Sequence, residues 1–130
     1  DSGQFKAIQL AGVSALENLS ITQKTVEKYS RRHNLLVKAL SSVGFRVTKP
    51  KGSFYLYAAA PKGLAGGMRF EDAEAFSQWL IREKQISTVP WDDAGHFVRF
   101  SVTFLADSEA GEVKLMDEIQ RRLSDSAFEW

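Results

Sequence analysis

The stretch ISTVPWDDAGHFVRFSVTF, residues 86–104, decides how this chain is read. From Val98 onward the alternation is strict: Val98, Phe100, Val102 and Phe104 point one way, and Arg99, Ser101 and Thr103 point the other. A strand with a committed core face projects Arg99 from the opposite face. A guanidinium offers a rigid fork of donors, suited to bidentate capture of a carboxylate or phosphate. The strand alone leaves two readings open. Arg99 is either such a capture group or an arginine on a solvated sheet face, which antiparallel sheets commonly show to water. Upstream, Ile86 to Val89 reads as a short strand closed by Pro90, and a polar turn joins it to residues 97–104 in an antiparallel hairpin.

Around this hairpin the pattern is mostly helical. Gln4 to Leu19 carries Phe5, Ile8, Gly12 and Ala15 at helical spacing. Ser20 and Gln23 have the form of a capping box for a second helix over Ile21 to Val43, whose buried stripe is Val26, Tyr29, His33, Leu36, Val37 and Leu40. Gly44 stands where a left-handed terminator belongs. Ser53 to Ala58 favours a strand, with Arg46 to Thr48 as a short partner, and residues 61–67, PKGLAGG, read as a loop. Phe70 to Lys84 returns to helical spacing with acidic residues first and basic residues last. Ser108 caps a final helix through Leu115, Met116, Ile119 and Leu123. The fold class is α+β: a small antiparallel or mixed sheet covered by helices and preceded by a two-helix arm. Residues 1–43 form the arm and 44–130 the α+β domain.

Composition excludes several functions. With 130 residues and 44% hydrophobic content the chain is one domain's worth of core. A net charge of +1, from 17 basic and 16 acidic residues, leaves no footprint for nucleic acid or a membrane surface. The absence of cysteine removes disulfides, thiolate metal sites and cysteine nucleophiles. Two histidines leave little for a metal site, and no metal ligands are assigned. No apolar run approaches a membrane span, and no signal peptide is evident, so a soluble, cytoplasmic protein is expected. Asp1 to Gln4 runs straight into a helical pattern without an initiator methionine, which suggests a piece of a longer protein.

Other features invite chemistry and have plainer explanations. Gly63, Gly66 and Gly67 match no nucleotide-binding spacing. Adjacent Asp92 and Asp93 more often cap and solvate a turn than bind a metal. His33 lies on an apolar stripe, as a hydrogen-bonded core histidine does. His96 has no serine or cysteine at a motif spacing. Arg31 and Arg32 are expected on a solvated or interdomain face.

Four runs in order carry a resemblance: Tyr29-Ser30-Arg31-Arg32, Gly44-Phe45, Lys51-Gly52-Ser53-Phe54-Tyr55 and Val98-Arg99-Phe100-Ser101. Together they resemble the C-terminal part, the small domain, of a pyridoxal-phosphate-dependent class I/II aminotransferase of fold type I. Residues 49–57, residues 87–104 and the ending RRLSDSAFEW look most similar to the LL-diaminopimelate aminotransferases. The resemblance implies that Arg99 clamps the substrate α-carboxylate in transamination of an amino acid, with LL-diaminopimelate as the candidate substrate. A fixed carboxylate holds the Cα–H bond in its reactive orientation. It also implies a homodimeric enzyme using an amino acid and a 2-oxo acid. One departure stands out: the family commonly has Pro-Gly before the last strand, and here Trp91 follows Pro90.

In the family, pyridoxal 5'-phosphate is joined to a lysine of the large domain, near a Ser-x-x-Lys motif that has no counterpart here. Lys6, Lys24 and Lys28 lie on helical patterns and read as surface charges. The chain alone is therefore expected to hold no cofactor and no catalytic residue, and to be inactive. The competing reading is a stand-alone regulatory α+β module that binds a small anionic metabolite through Arg99.

Overall fold

The computed structural model describes residues 3–130; Asp1 and Ser2, where the predicted arm begins, lie outside the described residues. Helix α1 (Lys6–Glu17) and helix α2 (Leu19–Ser42) meet at Asn18, whose φ of −94° and ψ of 78° break the helical path. The expected capping box does not form. Ser20 lies inside α2, its hydroxyl 2.7 Å from Asn18 Oδ1, so the break falls two residues earlier than the sequence signal suggested. Helix α1 buries none of its residues, and Phe5, Ile8 and Leu16 stand exposed. Only the second half of α2 enters the core, through Leu36, Ala39 and Leu40; Val26, on the predicted stripe, is exposed. Gly44 ends the helix at φ +96°, and Phe45 N–H reaches back to the Leu40 carbonyl at 3.1 Å. A left-handed residue followed by this long-range backbone bond satisfies the last free carbonyls.

Strand β1 (Tyr55–Ala59) pairs with the main strand rather than with Arg46 to Thr48, which forms no strand. Residues 61–67 are not all loop: β2 (Gly63–Leu64) pairs antiparallel with residues 128–129. Helix α3 (Ala73–Trp79) starts at Asp72, whose side chain accepts from Ala75 N–H at 2.7 Å. It passes into a π-helical turn, Leu80–Lys84, stopped by Gln85 at φ +54°. Arg122 Nη1 donates to the freed Lys84 and Gln85 carbonyls at 3.1 and 3.3 Å. Strand β3 (Val89–Trp91) is displaced from the expected 86–89 and contains Pro90, which an edge strand tolerates because one side of it needs no donor.

Strand β4 (Phe97–Ser101) lies between β1 and β3, antiparallel to both. It ends before Phe104 because the Arg32 guanidinium, rather than a neighbouring strand, takes the Val102 and Phe104 carbonyls, at 2.9 and 2.6 Å. Helix α4 (Glu109–Leu123) has the expected cap, Ser108 Oγ accepting from Gly111 N–H at 3.1 Å. Strand β5 (Phe128–Glu129) closes the chain against β2. Every strand pair is antiparallel.

The inner face of the three-stranded sheet is Leu56, Ala58, Val98 and Phe100, all buried with Leu36 and Leu40 of α2, Phe76 of α3 and Met116 and Leu123 of α4. Apart from Ala58, each of these side chains contributes about 1.5–3 kcal/mol on leaving water. Helices thus cover one face only. The other face carries Tyr57, Val89 and Trp91, all exposed, with Arg99 at its centre. No described helix is long and apolar enough to cross a membrane.

Candidate functional site

Strand alternation puts Arg99 on the uncovered face, and the register places Tyr57 beside it on β1 and Val89 on β3. Its guanidinium carbon lies 4.7 Å from the centre of the Tyr55 ring and 4.3 Å from that of Trp91. The two rings come from the two strands that flank β4. Tyr57 and Phe97 add an edge-to-face pair at 6.3 Å. Arg99 Nε is sealed from solvent and has no hydrogen-bond partner. Among the described residues no acceptor engages this guanidinium, whose position is set by aromatic faces. Such contacts orient a cation without consuming its N–H donors.

The turn after Trp91 is tied down from outside. Asp92 accepts from Ala73 N–H at 2.8 Å and Glu74 N–H at 3.3 Å, at the start of α3, and from His96 Nδ1 at 2.8 Å. The His96 hydrogen bond, then the Ala73 amide, hold the Asp92 carboxyl below its ordinary pKa. Gly95, at φ +110°, turns the chain back; a Cβ there would lie 2.9 Å from the Phe97 ring. Asp92 is therefore a cap, as the sequence suggested, but for a helix that starts 19 residues upstream rather than for its own turn. His96 acquires a carboxylate partner that the spacing did not reveal.

The other candidates fall elsewhere. His33 is buried, with Nε2 2.8 Å from the Ser53 carbonyl, a core histidine as expected. Gly63 enters β2, and Gly66 and Gly67 form the turn beyond it at positive φ. Lys6, Lys24 and Lys28 are exposed on α1 and α2, and the sheet face around Arg99 contains no lysine. Among the described residues no three histidine, aspartate or glutamate side chains gather as a metal-binding group.

Arg32 departs from expectation. It is 2% exposed, and its Nε donates to Glu112 at 2.7 Å while Nη1 bonds the two strand-end carbonyls and the guanidinium carbon lies 4.2 Å from the centre of the Phe104 ring. Arg31 reaches the same carboxylate at 2.8 Å and Glu109 at 3.0 Å. The Arg31 hydrogen bond, and after it that of Arg32, hold Glu112 below its ordinary pKa against the opposing effect of burial. These arginines clasp α2 to α4 instead of lining a solvated face.

Residues 2–114 match the family described as Aminotransferase class I and II. The LL-diaminopimelate aminotransferase of Methanococcus maripaludis is 49% identical, the match covering 98% of this chain and 32% of that protein. The enzyme of the same name from Methanocaldococcus jannaschii is 46% identical over 100% of this chain and 33% of its own length. The chain thus spans about a third of the length of these curated relatives. In fold it is similar to an aminotransferase from Staphylococcus aureus, with a TM-score of 0.71, 24% identity and 96% of this chain but 31% of that one covered. Substrate-bound BacF from Bacillus subtilis gives a TM-score of 0.73 at 23% identity, over 98% of this chain and 31% of that one. The family match extends over most of the sequence, through helices α1 and α2 and the strand that bears Arg99: the chain belongs to the class I and II aminotransferases.

Proposed function

We propose that this chain is the small domain and helical arm of a pyridoxal-phosphate-dependent aminotransferase, and that Arg99 receives the α-carboxylate of its amino acid or 2-oxo acid substrate. The observation that carries this is the state of Arg99: a cation oriented by two rings on an uncovered sheet face, with no acceptor engaged. A two-point grip on a carboxylate stops rotation about the bond to Cα and fixes which face of Cα is presented. The names of the most similar relatives point to LL-diaminopimelate, an amino acid with a carboxylate at each end, as the substrate.

The division we propose is an arm over residues 1–43 and a small domain over 44–130, with the second half of α2 seated in the small domain's core. The exposed apolar side chains of α1 support it, since a helix with no buried residue is built to be covered by something outside these residues. The residues around Arg99 fit a carboxylate and do not fit the cofactor, whose aldehyde needs an amine that this face lacks. The chain alone is accordingly inactive and retains no pyridoxal phosphate. A homodimeric, cytoplasmic enzyme is what the family resemblance adds to this reading.

The test is Arg99→Ala in the intact enzyme. Loss of a desolvated charge-assisted pair lowers kcat/KM by about 10²- to 10³-fold. An unchanged kcat/KM for the amino acid overturns the assignment. Two measurements on the 130-residue chain address the rest. A cofactor absorbance band that survives dialysis refutes the absence of a cofactor site, and tight calorimetric binding of a dicarboxylic amino acid favours a self-sufficient binding module.

A further inference from the structure

We infer that Trp91 is a positioning residue for Arg99: its indole fixes the guanidinium plane so that the two terminal nitrogens, and not Nε, meet the carboxylate. The inference rests on the assignment of Arg99 as the carboxylate receptor and adds how that receptor is aimed. An arginine can present a carboxylate with either of two donor pairs, Nε with one terminal nitrogen or the two terminal nitrogens together. Here Nε is sealed and unpartnered, which removes the first pair. The terminal pair remains.

What keeps the fork in that attitude has to act without occupying it. No side-chain acceptor among the described residues does so, and the guanidinium lies against the Tyr55 and Trp91 rings. Trp91 is the nearer of the two, at 4.3 Å, and the better cation–π partner. It is also held through its backbone on both sides. Its backbone pairs with Phe97 in the β3–β4 ladder, and the next residue, Asp92, is bonded to two amides at the start of α3. The ring thus stands on a short segment fixed at both ends, while 37% of Trp91 remains exposed, which keeps it at the rim rather than in the core.

The test uses the intact enzyme with Trp91→Ala, Trp91→Leu and Trp91→Phe, set beside Arg99→Ala. Three quantities are read: kcat and KM for the amino acid, and inhibition by acetate, a probe that has a carboxylate and little else. With Ala or Leu, both KM and the acetate inhibition constant rise about five- to tenfold while kcat moves less than about twofold; Phe, which keeps a ring, holds all three within about twofold of the parent. If Leu performs as well as Phe, bulk rather than a π face is what matters, and the inference fails. It fails also if Ala leaves both constants unchanged while Arg99→Ala raises them, an outcome that leaves the carboxylate assignment intact. If Arg99→Ala itself leaves acetate inhibition unchanged, the assignment falls and takes the inference with it. Should Trp91→Ala not fold, the comparison of Leu with Phe carries the test.

Discussion

Two arginines in this chain lie against aromatic rings at nearly the same distance, yet they do opposite work. Arg32 lies 4.2 Å from the centre of the Phe104 ring and has three acceptors, a Glu112 carboxylate oxygen and two backbone carbonyls. Arg99 lies 4.3 Å from that of Trp91 and has none. A buried guanidinium with its acceptors in place is part of the fold, because removing it strands the groups it served. One left without acceptors on an open face contributes little to holding the chain together and is free to serve a ligand. Ring contact therefore does not separate structure from function here; the supply of acceptors does.

The contrast breaks most sharply if the wrong arginine governs stability. Arg32→Ala leaves Glu112 buried with a single remaining partner and strips two strand-end carbonyls of their donor. It is expected to lower the unfolding free energy of the chain by about 3–5 kcal/mol, read from urea melts followed by circular dichroism. A loss under about 1 kcal/mol would place Arg32 with the surface residues.

Glu112, on the other side of the clasp, carries the pH dependence. Its folded pKa is depressed, chiefly by the Arg31 hydrogen bond and next, among the favourable contacts, by that of Arg32. The sign follows: the stabilisation is complete above the carboxylate's ordinary value of 4.5 and is lost as pH falls through the lower folded value. Glu112→Gln should cost about 2–4 kcal/mol at pH 7 and flatten the decline in stability below pH 4.5. Glu118 is lowered to about 2 by Arg121 and then Arg122, but its side chain is 35% exposed and those of Arg121 and Arg122 are 70% and 30% exposed, so solvent screens these pairs far more than the buried one. Glu118→Gln should therefore leave the acid limb of the melt nearly parallel to that of the parent. Equal flattening by both substitutions would mean that burial does not set the weight of these pairs.

How far each arginine was legible in the sequence follows from the range of its contacts. Arg99 was visible because its setting is local: strict alternation from Val98 fixes its face within a few residues. Arg32 was not, since its carboxylate partner lies 80 positions away and nothing in the spacing of α2 marks the residue beside the Tyr29–His33–Leu36 stripe as buried. The same limit explains the smaller misses. Strands β2 and β5 have two residues each, too few to show a period, and form because distant segments meet. The hold of Asp92 on α3 joins residues 18 and 19 positions apart through backbone amides that a motif search does not register. Helix α4 is legible in the sequence because Ser108 and the stripe behind it are both local signals.

A smaller effect sharpens the comparison at that helix. Glu112 N–H bonds the Ser108 carbonyl at 3.0 Å, and the Ser108 hydroxyl accepts from Gly111 N–H, so the cap sets the turn that delivers Glu112 to the arginines. Ser108→Ala should cost about 1 kcal/mol. If the clasp depends on that turn, the cost of Ser108→Ala should shrink in an Arg32→Ala background; strict additivity in the double-mutant cycle would show that cap and clasp act independently.

The smallest effect is expected at the residue that matters most for the proposed chemistry. Arg99→Ala gives up contact with two rings, about 0.5–1 kcal/mol each at a partly exposed site. It also removes a buried, unpartnered Nε–H, whose desolvation costs about 1–3 kcal/mol in the parent. The two contributions oppose each other, and the chain's stability should move by no more than about 1 kcal/mol in either direction. A loss above about 2 kcal/mol would mean that Arg99 holds the sheet together as Arg32 holds α2 to α4, and the distinction between an arginine with its acceptors and one without them would not survive. A near-zero shift in stability beside a large loss of kcat/KM in the intact enzyme is the pattern a residue reserved for substrate must show, because its acceptor arrives with the ligand.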